Sequence, residues 1–190
     1  LEADLGDEAL VEPLAGENFD GIVHLAAQAG VRWSLEKPFA YGSSNLTGQL
    51  VMLEVARRSA GLSHLVYAGS SSVYGANEKM PFSVEDRVDH PVSLYAATKR
   101  SGELMAHGYA TLYGIPSTGL RFFSVYGTWG RPDMALWKFA DAIREVRPIE
   151  LYNHGRHRRD FTWVDDVVDG VIRVLDQPAT TDPAFDPANP

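Results

Sequence analysis

His64-Leu65-Val66-Tyr67-Ala68-Gly69-Ser70-Ser71-Ser72 decides how the rest of this chain is read. An uncharged run rich in branched and aromatic residues, stopped by glycine and three hydroxyls, predicts a buried strand that breaks off into a turn. Upstream, Gly21-Ile22-Val23-His24-Leu25-Ala26-Ala27 is a second apolar run suited to a buried strand. Between the two a helix is predicted over roughly Ser44–Ala60, with Leu46, Leu50, Leu53 and Ala56 on one stripe and Gly61 as its stop. Downstream, a helix from about Ser93 to Tyr113 halts at Gly114, and Thr118–Val125 reads as the next strand. Strand–helix–strand–helix–strand implies parallel strands joined by right-handed crossovers, a doubly wound α/β fold. In such sheets ligands sit beyond the carboxyl ends of the strands. The serines, the loop after Ala27 and Phe122-Phe123-Ser124 all fall there.

The helix after the serines carries Tyr95-Ala96-Ala97-Thr98-Lys99, with Ser70 standing 25 positions before Tyr95. Tyr95 and Lys99, four apart, lie on one helix face. A free tyrosine titrates near ~10 and is a poor base at neutral pH, but a neighbouring ammonium favours its phenolate. A hydroxyl from a strand end could then hold a substrate oxygen while the phenolate takes its proton. That is equipment for moving a proton and a hydride together on a secondary alcohol. The bland alternative is a solvated helix face, and the paired serines weigh against it.

At 190 residues, 45% apolar and 22% charged, the chain has the composition of an ordinary globular protein. Its net charge of −8 argues against nucleic acid or an anionic membrane as partner. With no cysteine there is no disulfide and no thiolate metal site. No apolar run approaches the ~20 residues of a membrane span, and the acidic start is no signal peptide. His24 and His64 sit on strands and read as packing or hydrogen-bonded residues. His154 and His157 share no carboxylate or thiol at ligand spacing, so no metal is expected.

After Gly127 the character changes. Thr128–Asp133 is turn-rich, Met134–Val146 reads as a helix and Ile149–Tyr152 as a short strand. Arg156, His157, Arg158 and Arg159 form the dense basic cluster of an acidic chain. Asp165–Leu175 is a last amphipathic helix, and the prolines from Pro178 on suggest a polar tail. No glycine-rich phosphate-binding motif follows an opening strand.

Taken together, Asp4-Leu5, His24–Arg32, Asn45-Leu46, Ser70–Gly75, Tyr95–Lys99 and Leu120–Phe123 resemble the extended short-chain dehydrogenase/reductase superfamily. Met80–Ser83, Gly130–Ala135 and Arg158–Thr162 resemble its UDP-glucuronate 4-epimerases, within the NAD-dependent nucleotide-sugar epimerase/dehydratase group. The resemblance implies a partial Rossmann-like NAD-binding domain over 1–127 and part of a small substrate-binding region over 128–163. A helix returning to the core would cover 164–176 and a tail 177–190.

The resemblance also implies roles. Asp4 and Leu5 would meet the adenine of NAD; Leu25, Ala26, Ala27 and Gln28 would line the cofactor; Asn45 would brace the strand end near the nicotinamide, with Phe123 packed beside it. Ser70, Tyr95 and Lys99 would be catalytic: Tyr95 as acid/base, Lys99 on the nicotinamide ribose, Ser70 on the sugar 4-oxygen. Ser71, Ser72 and Ser124 would face substrate, Arg131 would meet a uronic carboxylate, and Arg32 and Arg159 the UDP diphosphate or ribose. The implied reaction is C4 epimerisation of a UDP-sugar through a 4-keto intermediate, in a cytoplasmic homodimer built on the helices at Ser44–Ala60 and Ser93–Tyr113. A sister dehydratase or decarboxylase and a fragment unable to hold NAD remain as alternatives. Because the glycine-rich unit and the end of the substrate region are not in this sequence, the strand at Gly21–Ala27 is expected to form a sheet edge, with one of three outcomes: pairing with a neighbouring chain, covering by the Leu1–Phe19 segment, or a native protein longer than this sequence.

Overall fold

In the computed structural model, which describes residues 2–156 and 158–183, the alternation of the sequence becomes parallel strands with helical crossovers. His157 of the basic cluster and residues 184–190 of the tail lie outside the described residues. The chain forms two compact units, one drawn from Leu1–Arg121 and Arg173–Pro190, the other Phe122–Ile172.

The first unit runs α1 (Val11–Ala15), β1 (Gly21–His24), α2 (Trp33–Glu36), α3 (Pro38–Tyr41), a π-helical stretch at Gly42–Thr47, α4 (Gly48–Arg58), β2 (His64–Ala68), a 3-10 turn at Ser71–Tyr74, α5 (Leu94–Tyr113) and β3 (Ser117–Leu120). The sheet order is β1-β2-β3, all parallel, with Ile22 beside Leu65 and Val66 beside Thr118. Ile22, Leu65 and Tyr67 project from one face into a core with Val51, Leu53 and Val55 of α4 and Ala106 of α5. Each fully buried aliphatic side chain there contributes about 1.5–3 kcal/mol. Below the other face His64 is fully buried. Its Nδ1 donates to the Leu175 carbonyl at 3.3 Å and its Nε2 lies 2.9 Å from Thr118 Oγ1, so it is a hydrogen-bonded core residue.

Ser93 starts α5 by accepting a bond from the Ala96 amide at 3.1 Å, and Gly114 ends it in the left-handed region at φ 68°. α4 ends earlier than expected, at Arg58, because Ser59 turns extended while its amide and hydroxyl both return to the Val55 carbonyl. Nor is its buried face a narrow stripe. Val51, Met52, Leu53, Val55 and Ala56 are buried, whereas Leu50 lies exposed on the side of Glu54, Arg57 and Arg58.

Two expected strands are corrected. β1 stops at His24, opposite Tyr67 and short of Ala27; β2 runs one residue further, to Ala68, but Leu25–Ala27 leave the sheet. The expected strand over Thr118–Val125 is two strands. β3 ends at Leu120, and the Ser124 amide bonds to the Asp160 carbonyl at 3.0 Å as β4 (Ser124–Tyr126) pairs with β5 (Phe161–Trp163). The second unit adds α6 (Ala135–Arg144) and most of α7 (Val164–Leu175). No strand forms at Ile149–Tyr152. A 3-10 turn at Tyr152–Gly155 follows instead, with Asn153 and His154 at positive φ. Among the described residues no helix is long and apolar enough to cross a membrane.

Candidate functional site

Ser93 caps α5 two residues before Tyr95, so Tyr95 and Lys99 occupy its opening turns. Lys99 Nζ donates to the Ala68 carbonyl at 2.8 Å, which anchors the ammonium over the end of β2. An ammonium has three donors and this bond uses one. Burial pulls the Lys99 pKa down from 10.5 to about 8. His24, buried at the end of β1, is pushed down to about 4 by desolvation and then by the charge of Lys99. The lysine is therefore the charged member of that pair at neutral pH. Tyr95 is half-buried.

α5 also lies against the Ser71–Tyr74 turn. Ser70 caps that turn: it is buried and its Oγ accepts from the Ser72 amide at 3.2 Å. The bond uses an oxygen lone pair and orients the hydroxyl while leaving its proton to donate elsewhere. Ser71 and Ser72 are half-buried members of the turn itself.

Asn45 joins these parts. Its side chain grips both backbone groups of Gln28, accepting from the amide at 2.8 Å and donating to the carbonyl at 3.0 Å. It also donates to Thr98 Oγ1 at 3.0 Å, and Thr98 in turn donates to the Tyr95 carbonyl at 2.9 Å. Asn45 and Thr98 are both buried, where an unmade hydrogen bond costs about 1–3 kcal/mol. The loop after β1 and the turn bearing Tyr95 are thus locked to one amide.

Beside this lies an open cleft of about 580 Å³ lined by Glu2, Ala3, Asp4, Leu5, Ala26, Ala27, Gln28 and Ser44. Five of the expected cofactor residues, Asp4, Leu5, Ala26, Ala27 and Gln28, meet there. Asp4 is held in place by a bond from the Gly6 amide to its Oδ1 at 2.8 Å. Leu25 is exposed next to this wall without lining it. Arg32 is exposed at the start of α2, its carbonyl accepting from the Leu35 amide at 3.0 Å. Glu2, Ser44 and Thr98 were not foreseen. Thr98 lies inside the Tyr95–Lys99 motif, whereas nothing in the sequence marks Ser44.

Phe123, Ser124, Arg131 and Arg159 belong to the second unit. Ser124 opens β4, while Phe123 and Arg159 are exposed. Arg131 holds a two-pronged ion pair with Asp133, at 2.9 and 2.5 Å, which depresses the Asp133 carboxyl pKa.

Residues 1–185 match the family model described as NAD dependent epimerase/dehydratase family. The "Probable UDP-glucuronate 4-epimerase" of Rhizobium meliloti (strain 1021) is 59% identical over 157 residues, 83% of this chain and 46% of that protein. UDP-glucuronate 4-epimerase 3 of Arabidopsis thaliana is 49% identical over 180 residues, 93% of this chain and 42% of that protein. The crystal structure of UDP-glucuronic acid 4-epimerase from Bacillus cereus with UDP-glucuronic acid and NAD superposes with a TM-score of 0.79 at 35% identity, covering 93% of this chain and 53% of that one. The chain spans about half the length of the curated relatives it matches. With the family model covering nearly the whole sequence, and relatives of such identity matching along it, this chain belongs to the NAD dependent epimerase/dehydratase family.

Proposed function

We propose that this protein is an NAD-dependent epimerase that inverts C4 of UDP-glucuronate to give UDP-galacturonate. The observation that carries the reaction class is the Asn45–Thr98–Tyr95 chain with Lys99 on the β2 carbonyl, beside the cleft of Asp4 and Ala26–Gln28. The substrate follows the names of the relatives. The cleft suits a dinucleotide: apolar walls from Leu5, Ala26 and Ala27 fit a ring, and the Asp4 carboxylate accepts hydrogen bonds at its rim.

Tyr95, as phenolate, takes the proton of the sugar 4-hydroxyl and holds it at Oη. The Lys99 ammonium lowers the cost of that phenolate and offers its remaining protons to a ribose. Ser70 donates its hydroxyl proton to the 4-oxygen. NAD, when bound, supplies reversible acceptance of the C4 hydride. The 4-keto sugar turns over within the site, and Tyr95 returns the proton to the inverted alcohol. Arg131 reads the uronate with the same two-pronged geometry it now uses on Asp133. Arg32 and Arg159 meet the diphosphate or ribose of UDP, Ser71, Ser72 and Ser124 face the sugar, and Phe123 packs by the nicotinamide.

The protein works in the cytoplasm as a homodimer. α4 and α5 pack together and leave Leu50, Leu104, Leu112 and Tyr113 exposed, an apolar surface suited to a second copy. Val51 and Met52 of α4 take no part in that surface, being buried in the core of the chain itself.

The test is product analysis with UDP-glucuronate on the full-length protein and on Tyr95→Phe. UDP-galacturonate should form, and the variant should lose about 10²–10⁴-fold in turnover, the usual contribution of a positioned acid/base. Near-normal epimerisation by Tyr95→Phe removes Tyr95 from the mechanism, and a different sugar product overturns the substrate assignment.

A further inference from the structure

Tyr41 has no role in the mechanism above, yet it is the largest fully buried side chain among the described residues. A phenol out of water needs a partner for its hydroxyl. The Tyr41 hydroxyl lies 2.8 Å from the Ala29 carbonyl oxygen and 2.5 Å from that of Gly30. Its ring stands edge-to-face with Tyr95, centroids 6.1 Å apart and planes at 83°. Gly30 has φ 101°, so the loop turns where Tyr41 reaches it.

Asn45, four residues on, repeats the pattern. It holds Gln28 on one side and, through Thr98, the backbone of Tyr95 on the other. The π-helical stretch Gly42–Thr47 links the two residues. Gln28–Gly30, of which Gln28 lines the cleft, is therefore stapled at both ends by side chains that also contact or hold Tyr95. Asn45 fixes its backbone, and Tyr41 its ring.

Resting on the reading of Tyr95 as acid/base, we infer that Tyr41 is a positioning residue whose ring sets the orientation of the Tyr95 phenol and whose hydroxyl holds Ala29 and Gly30, the residues that directly follow the cleft-lining Gln28. The two halves of one side chain act on different steps, so they separate experimentally. A T-shaped ring contact favours one orientation of the neighbouring phenol. Losing such restraint misaligns proton transfer and lowers kcat, whereas losing the hydroxyl loosens the loop and the bound dinucleotide.

The experiment compares Tyr41→Phe and Tyr41→Leu in the full-length protein, with NAD release followed by nicotinamide absorbance after dilution, kcat at saturating NAD and UDP-glucuronate, and thermal unfolding. Both variants should release NAD faster, by about 5–50-fold, the loss of a buried hydrogen bond. Tyr41→Leu should lose about 10–100-fold in kcat, as expected for a misplaced catalytic group, and Tyr41→Phe should recover most of that loss. If Tyr41→Leu does not fold, Tyr41→Met takes its place, keeping bulk without a ring face. Normal NAD retention in Tyr41→Phe overturns the role of the hydroxyl. Equal kcat in the Phe and Leu variants overturns the role of the ring. Tyr95→Phe run alongside separates the two readings. If it stays active, the acid/base reading and the ring role fall together, and NAD release still decides the hydroxyl; if it is dead while Tyr41→Leu turns over normally, only the inference on Tyr41 falls.

Discussion

Lys99 carries its charge where charge is disfavoured, and this has opposite consequences for activity and stability. Its folded pKa of about 8 lies below the 10.5 of an unfolded lysine. Between these values the unfolded chain binds more protons than the folded one, so folding stability contributed by Lys99 rises as pH climbs through that window. Over the same interval the ammonium proposed to assist Tyr95 disappears. We expect kcat to fall between about pH 8 and 10 while the urea midpoint, measured without added cofactor, does not fall with it. Lys99→Met should remove the upward stability term and weaken NAD binding. A wild-type urea midpoint that drops across this window, in step with that of Lys99→Met, contradicts the burial of a charged Lys99. That Tyr95 and Lys99 share the opening turns of one helix was legible in the sequence because side-chain spacing along a helix is fixed by its pitch, and the place of Ser70 just past β2 because glycine and hydroxyls stop the apolar run. Tyr41 was not, because its importance arises from a carbonyl pair and a ring brought to it by tertiary folding.

At the level of elements, the turn that carries Ser70 depends on Gly75. This glycine closes the Ser71–Tyr74 turn at φ 58° and ψ −121°, with its amide donating to the Ser72 carbonyl at 3.1 Å. An added Cβ would run into the His90 carbonyl oxygen, a backbone atom that cannot step aside. Gly75→Ala should therefore destabilise the fold by at least about 2 kcal/mol, combining backbone strain with overpacking, and should depress kcat by displacing Ser70. Denaturant unfolding of the variant checks the first effect, and an unchanged midpoint contradicts it. β2, the central strand, was readable as an apolar run, since burial on both faces demands one. The end of β1 was not, since it leaves the sheet at His24 while β2 runs on to Ala68; nor was that of β3, which stops at Leu120 opposite Ala68, where β2 ends. β5 was missed because Phe161–Trp163 is too short to show a period, and the π-helical stretch because it takes its form from the Tyr41 and Asn45 contacts rather than from local preference.

For the molecule as a whole, the exposed leucines of α4 and α5 make association measurable. Leu104 is 56% exposed and Leu112 is 72% exposed. Sedimentation at micromolar concentration should give a dimer, and Leu104→Glu with Leu112→Glu should give a monomer that stays folded. A wild-type monomer under those conditions contradicts the proposed assembly. The doubly wound class was readable from the order of elements, and a change of character was expected after Gly127; the second compact unit spans Phe122–Ile172, and no run of linker residues marks those bounds. The grip of Asn45 on Gln28 has a consequence for time as well as for shape. An amide in a surface loop ordinarily trades its hydrogen for deuterium quickly, but that of Gln28 is tied to a buried side chain at 2.8 Å. It can exchange only when Asn45 lets go, and Asn45 is itself tied to α5 through Thr98. The Gln28 amide should exchange as slowly as that of Leu65 in the central strand, bonded to the Pro116 carbonyl at 2.9 Å. Fast exchange at Gln28 beside slow exchange at Leu65 means that the wall of the cleft breathes by itself; matched rates mean that it opens only when the sheet does.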